Sequence, residues 1–205
     1  MEGAVKEKFW NVPNCLTLIR IALVPVFALM LIQKRALGAL IVIVLAGSTD
    51  VLDGLAARAW NQRTRIGTLI DPLADKFLLS TAFILLTIQS LGFRHAIPVW
   101  LTAVVIGRDF IILAGGAAVY YLRGPREFPP TVTGKISTVC QVVTVFWVVL
   151  ANSIDVSALK GSNIVSALTS ASVLEMFFIA TLVLTVVSGV QYIAKGIRMV
   201  FPPTP

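Results

Sequence analysis

The sequence predicts an all-α integral membrane protein, with six transmembrane helices preceded by a short N-terminal interfacial segment. Three observations lead there. Of 205 residues, 57% are hydrophobic and 13% charged, with mean hydropathy +0.89. A water-soluble domain of this length needs far more polar surface, and a disordered chain far fewer apolar residues. The apolar residues gather into long runs near the ~20 residues that cross a bilayer as helix. The basic residues collect in alternate breaks between those runs.

The N-terminal stretch, residues 1–14, carries Lys6, Lys8, Phe9 and Trp10, a pattern of cations and aromatic anchors suited to the membrane interface. The spans are expected at about 15–33, 36–58, 72–92, 97–121, 133–154 and 172–198. The first run contains Arg20 and lacks a small-residue cleavage site, so it reads as a retained span and not a signal peptide. The runs are too long and too uniformly apolar for half-exposed surface helices, and they lack the ten-residue alternation of barrel strands. Pro72 suits the first turn of the third helix, which is expected to begin near Asp71. No internal repeat or long linker appears, so residues 1–205 read as one membrane domain. Phe201 to Pro205 reads as a short frayed tail.

Charge orients the chain. With the N-terminus in the cytoplasm, the inner segments hold Lys6, Lys8, Arg58, Arg63, Arg65, Lys76, Arg123, Arg126, Lys135, Lys195 and Arg198, and the outer ones Lys34, Arg35, Arg94 and Lys160. That asymmetry follows the positive-inside rule, places both termini inside, and explains the net charge of +7 through anionic headgroups, without nucleic acid. Cys15 and Cys140 fall in or beside apolar runs and read as small packing residues. His95 reads as an ordinary loop residue, and no Cys/His cluster exists to hold zinc.

The acidic residues carry the chemistry. The stretch Asp50-Val-Leu-Asp53-Gly54-Leu-Ala-Ala57-Arg58 is followed, eight residues on, by Gly67-Thr-Leu-Ile-Asp71-Pro-Leu-Ala-Asp75. Asp50 and Asp53 stand at i,i+3 and Asp71 and Asp75 at i,i+4, so each pair shares a helix face. Taken singly, these acids could be a helix cap at Asp71 or ion pairs such as Asp75–Lys76 or Asp50–Arg58. Four carboxylates near hydrocarbon repel one another and are costly to desolvate, so a compensating charge is expected. One or two Mg²⁺ or Mn²⁺ ions suit carboxylate and phosphate oxygens and would clamp a diphosphate. Gly54, Ala57 and Gly67 would let a base or phosphate come close to the backbone. The phosphate-binding Gly-rich fingerprints of ATP and NAD enzymes are absent, as are Ser-His-Asp and Cys-His sets.

The pattern D-x2-D-G-x2-A-R-x8-G-x3-D-x3-D resembles the signature of the CDP-alcohol phosphotransferase (CDP-alcohol phosphatidyltransferase) family at every fixed position. The run from Pro13 and Asn14 through Leu16 and Thr17 to Arg20, the triplet Gly107-Arg108-Asp109, and the run Gly134-Lys135 to Gln141 resemble its phosphatidylglycerophosphate synthase and cardiolipin synthase branches. The resemblance spans about residues 9–145. It implies transfer of a phosphatidyl group from CDP-diacylglycerol to an alcohol, with release of CMP. It implies that Asp50, Asp53, Asp71 and Asp75 hold the metal ions and that Asp75 is also the general base. It further implies that Asn14, Thr17, Gly54, Ala57 and Gly67 line the nucleotide and diphosphate site, where Arg58 steadies the acids or contacts phosphate. Such roles agree with phosphoryl transfer as positioning plus charge neutralisation.

Arg108 lies within the fourth expected span. Asp109 could serve simply as its local partner. Alternatively, Arg108 and Lys135 could grip an acceptor phosphate, as the resemblance implies. Glycerol-3-phosphate is the expected acceptor, because that is the commoner role for a short chain of this type. Phosphatidylglycerol is the alternative, since Arg-Asp, where the synthases usually have Arg-Glu, is more typical of the cardiolipin synthase branch. A small ion transporter is a further alternative, against which the acids cluster at one edge. Gly115 and Gly116 could allow close packing or a homodimer.

Overall fold

A computed structural model describes the backbone of residues 12–60, 65–124, 131–154, 167 and 169–200, and the side chains of 18–49, 76–122, 124, 131–154, 167 and 169–200. Among the described residues there are six α-helices: α1 (Val12–Ile32), α2 (Ala36–Trp60), α3 (Arg65–Thr87), α4 (Val99–Arg123), α5 (Val132–Ser153) and α6 (Ala171–Val200). A single 3₁₀ turn, Gln89–Leu91, follows α3. Three described segments, Val99–Leu122, Val132–Ser153 and Ala171–Val200, are long and apolar enough to cross a membrane.

Three boundaries differ from the sequence expectation. Val12, Pro13 and Asn14 belong to α1 and not to an interfacial segment, the rest of which lies outside the described residues. Pro13, as the second residue of α1, forgoes only a donor that the first turn leaves unpaired anyway. The helix α3 begins by Arg65, seven residues ahead of the expected start, so Pro72 is an interior residue and Asp71 does not cap the helix. Proline inside a helix is tolerated where neighbouring helices support the freed backbone, and α1 also carries an interior proline, Pro25. With α2 running through Trp60, the connection to α3 is much shorter than the break expected between Arg58 and Asp71.

Two compact units divide the chain, Met1–Phe93 with Asn152–Ile154, and Arg94–Ala151 with Asp155–Pro205. In the first, both α2 and α3 pack on α1. Phe27, Leu31, Ala39, Ala46, Ala82, Phe83 and Leu86 are buried there, together with Arg20 at 1% exposure. The α1–α2 turn closes in three residues: the Lys34 N–H reaches the Leu31 carbonyl at 2.9 Å and the Arg35 N–H the Met30 carbonyl at 2.8 Å. That pairing needs a left-handed residue, and Lys34 supplies it at φ 59°.

In the second unit α4 packs along α6, and α5 joins α6 through side-chain hydrogen bonds. Trp147 on α5 and Phe177 on α6 stack with ring centres 5.3 Å apart. Between α4 and α6 runs an apolar groove of about 470 Å³, lined by Phe110, Ala114, Gly115 and Ala118 on one side and Ile193, Gly196 and Ile197 on the other. Across both units the outward faces are apolar, with Leu29, Ile41, Leu113, Met176 and Val190 all exposed. Hydroxyls turned inward and large apolar side chains turned outward fit a hydrocarbon solvent.

Candidate functional site

The four aspartates fall on two helices of the first unit. Asp50 and Asp53 lie in α2 and Asp71 and Asp75 in α3, so the i,i+3 and i,i+4 spacings are realised as helix-face pairs on elements that both pack on α1. Gly54, Ala57 and Arg58 follow in α2, Gly67 in α3, and Asn14 and Thr17 in α1. The side chains of all these positions lie outside the described residues. Among the described residues no three His, Cys, Asp or Glu side chains gather.

The second unit brings together the other predicted pair. Arg108, in the tenth position of α4, is 6% exposed. Its Nη1 donates to Asp109 Oδ1 at 2.7 Å, its Nη2 to Ser188 Oγ at 2.9 Å, and its Nη2 makes a longer 3.4 Å contact to the Gly134 carbonyl. The guanidinium carbon stands 5.4 Å from the centre of the Tyr192 ring. Asp109 is thus the local partner that one sequence reading expected, and two further helices, α5 and α6, share the remaining contacts. A buried guanidinium demands this, since its charge in a low-dielectric surrounding is tolerable only when paired and hydrogen-bonded. Its Nε is buried without a hydrogen-bond partner among the described residues. Lys135 is exposed on α5, immediately after the Gly134 carbonyl that Arg108 approaches.

Along the same two helices, α5 and α6, runs a polar seam. Ser137 Oγ and Thr185 Oγ1 lie 3.1 Å apart, and Gln141 Nε2 donates to Thr185 at 3.2 Å. Thr144 and Thr181 hydroxyls meet at 2.7 Å, with Cys140 Sγ 3.3 Å from Thr181 Oγ1. Thr133 on α5 donates to Gln191 on α6. Cys140 is a free, half-buried thiol, in keeping with a small packing residue. At the start of α5, Tyr192 Oη accepts the Thr131 N–H at 3.1 Å. Gly134 makes that approach possible: a Cβ there would stand 2.9 Å from Tyr192 Cε2 and Oη and from Thr131 Oγ1. Ser188, Tyr192 and the pairing of hydroxyls across the seam do not follow from the sequence motifs. The signal was present as polar residues three or four apart within apolar runs, Ser137-Gln141-Thr144 and Thr181-Thr185-Ser188-Tyr192.

Outside the spans, His95 sits in the bend before α4, where burial and then the neighbouring Arg94 charge push its pKa below the ordinary histidine value. As expected of a loop residue, it stands apart from this polar cluster in sequence and local structure.

The sequence profile described as CDP-alcohol phosphatidyltransferase matches residues 10–187. The chain is 33% identical over 191 residues to the CDP-diacylglycerol–glycerol-3-phosphate 3-phosphatidyltransferase of Aquifex aeolicus, covering 93% of this chain and 98% of that protein. It is 31% identical over 202 residues to the Bacillus subtilis protein of the same name, covering 91% and 95%. It is 39% identical over 158 residues to the cardiolipin synthase (CMP-forming) of Homo sapiens, covering 68% of this chain and 50% of that protein. The alignment thus spans about half the length of the human cardiolipin synthase.

Proposed function

The chain belongs to the CDP-alcohol phosphatidyltransferase family, and from that premise we propose that it transfers a phosphatidyl group from CDP-diacylglycerol to glycerol-3-phosphate. The observation that carries this reading is near end-to-end similarity to proteins named for that reaction, covering 93% of this chain and 98% of the Aquifex aeolicus relative. In the reaction, the acceptor hydroxyl oxygen bonds to the phosphatidyl phosphorus, the bond from that phosphorus to the bridging oxygen breaks, and CMP leaves with the electron pair. Family membership sets aside the ion-transporter alternative.

Asp50, Asp53, Asp71 and Asp75 are the residues that would hold Mg²⁺ or Mn²⁺. Their chemistry fits, because two carboxylate pairs on helix faces supply the hard oxygen donors such ions take. When bound, one or two ions would neutralise the diphosphate charge. The Asp75 carboxylate takes the proton of the attacking hydroxyl. Asn14, Thr17, Gly54, Ala57, Arg58 and Gly67 bind the nucleotide and diphosphate, and Arg108 with Lys135 binds the acceptor's phosphate. All six helices span the bilayer as a single membrane domain. Both termini and the aspartates face the cytoplasm, and a second copy completes a homodimer. Helices α1, α2 and α3, at 21, 25 and 23 residues, have the length for this.

A second reading, cardiolipin synthase with phosphatidylglycerol as acceptor, is favoured by the 39% identity to the human enzyme and by the Arg108–Asp109 pair. The test supplies purified protein with CDP-diacylglycerol and Mn²⁺ or Mg²⁺, offers each acceptor separately, and identifies the lipid product. The expected product is phosphatidylglycerophosphate; cardiolipin formed from phosphatidylglycerol alone would replace it with the second reading. Asp75→Asn is expected to cut CMP release by at least about 10²-fold while CDP-diacylglycerol still binds. Turnover at the wild-type rate would remove Asp75 from the base role.

A further inference from the structure

Arg108 is held by groups from three helices, and the contribution of α6 has no explanation in the predicted site. An arginine side chain in mid-helix has many rotamers and five N–H donors. Here Asp109, the Gly134 carbonyl and Ser188 engage the two terminal nitrogens, and the Tyr192 ring lies against the guanidinium. Tyr192 is itself fixed twice, by the Thr131 N–H on its hydroxyl and by Gly134, where a Cβ would stand 2.9 Å from its ring and hydroxyl. The cation therefore rests on a braced surface. Its Nε keeps a buried donor without a partner among the described residues. A planar cation whose orientation is set by the protein gives up little side-chain freedom when it meets a phosphate, and that is where preorganisation gains affinity.

We propose that Tyr192 and Ser188 are positioning residues, which orient the Arg108 guanidinium for the phosphate group of the acceptor alcohol. Tyr192 supplies the braced ring and Ser188 the hydroxyl that fixes the guanidinium's rotation. Neither touches the reacting atoms. The inference rests on the reading that Arg108 binds the acceptor, and it adds the device that gives that residue its orientation. Glycerol-3-phosphate and phosphatidylglycerol both present the phosphate oxygens this requires.

Steady-state kinetics of the full-length protein in mixed micelles test it. CDP-diacylglycerol and Mn²⁺ are supplied, and the acceptor is whichever of the two the wild-type protein turns over. Tyr192→Leu is expected to raise the acceptor KM about tenfold, with the KM for CDP-diacylglycerol unchanged within about twofold. Tyr192→Phe, which keeps the ring, is expected to restore the acceptor KM to within about threefold of wild type. Ser188→Ala removes one hydrogen bond without changing the packing around the ring, and is expected to raise the acceptor KM about fivefold. If Tyr192→Leu does not fold, Ser188→Ala decides alone. An acceptor KM at the wild-type value in the folded variants overturns the proposal, as does a loss of kcat with both KM values unmoved. A wild-type protein that releases CMP with neither acceptor overturns the transferase reading itself, and the positioning role with it.

Discussion

In the first unit the interior is filled by Phe27, Leu31, Ala39, Phe83 and Leu86, and Arg20 is the one buried polar or charged side chain among its described residues. In the second, Ser137, Gln141, Thr144, Thr181, Thr185 and Ser188 are buried, as is Arg108. The exposed faces of both are apolar. In hydrocarbon, burying another apolar side chain brings no solvent-driven gain, so helices associate through close packing or through hydrogen bonds that lipid cannot replace. The first unit relies on packing, the second on both. In the second unit a hydroxyl on α6, Ser188, also hydrogen-bonds the buried Arg108 guanidinium.

The largest test of this contrast removes packing from the first unit. Phe83 is fully buried, and Phe83→Ala is expected to lower stability in micelles by about 3 kcal/mol, read as a shift in the SDS or urea unfolding midpoint. A change under 1 kcal/mol would mean that packing does not hold this unit. Next comes Asp109→Ala, which strips Arg108 of its carboxylate. Since the Asp109 side chain is 20% exposed, the expected loss is about 2 kcal/mol, below the range for a fully buried pair. A smaller effect comes from a double-mutant cycle on Thr144 and Thr181, whose hydroxyls are 2.7 Å apart, with an expected coupling of about 0.6 kcal/mol. Zero coupling would reduce the seam to coincidence.

The smallest effect is one of pH. Burial, reinforced by Arg94, holds the His95 pKa below its ordinary value of about 6.5, so the folded protein binds this proton less readily than the unfolded chain does. Stability is therefore expected to be flat above that value and to fall as pH drops below it. His95→Gln should remove that part of the slope in unfolding measured between about pH 5 and 7. An unchanged profile would assign the acid sensitivity elsewhere.

The helices were legible because their apolar runs are long: α4, expected at 97–121, runs Val99–Arg123, and α6, expected at 172–198, runs Ala171–Val200. The start of α3 departs from the expected position because Pro72 looks like a first-turn residue, and only the setting of the helix decides whether an interior proline is tolerated. The aspartate spacing was legible because α2 and α3 carry it within single helices. The seam was not, because Ser and Thr in a helix can satisfy themselves on the preceding turn, as Thr138 does with the Gly134 carbonyl and Thr87 with Phe83. Whether a hydroxyl reaches backward along its own helix or across to Thr181 or Thr185 depends on the neighbour, which local spacing does not encode.

The contact between Gly134 and Tyr192 also constrains how this sequence can drift. A Cβ at position 134 would stand 2.9 Å from both the Tyr192 ring and Thr131 Oγ1, so a side chain there needs Thr131 to shift and position 192 to shrink first. That intermediate would lose the aromatic surface under Arg108 before anything had replaced it. Two positions 58 residues apart are thus tied into a single heritable unit, and descendants are expected to keep both or to have changed both.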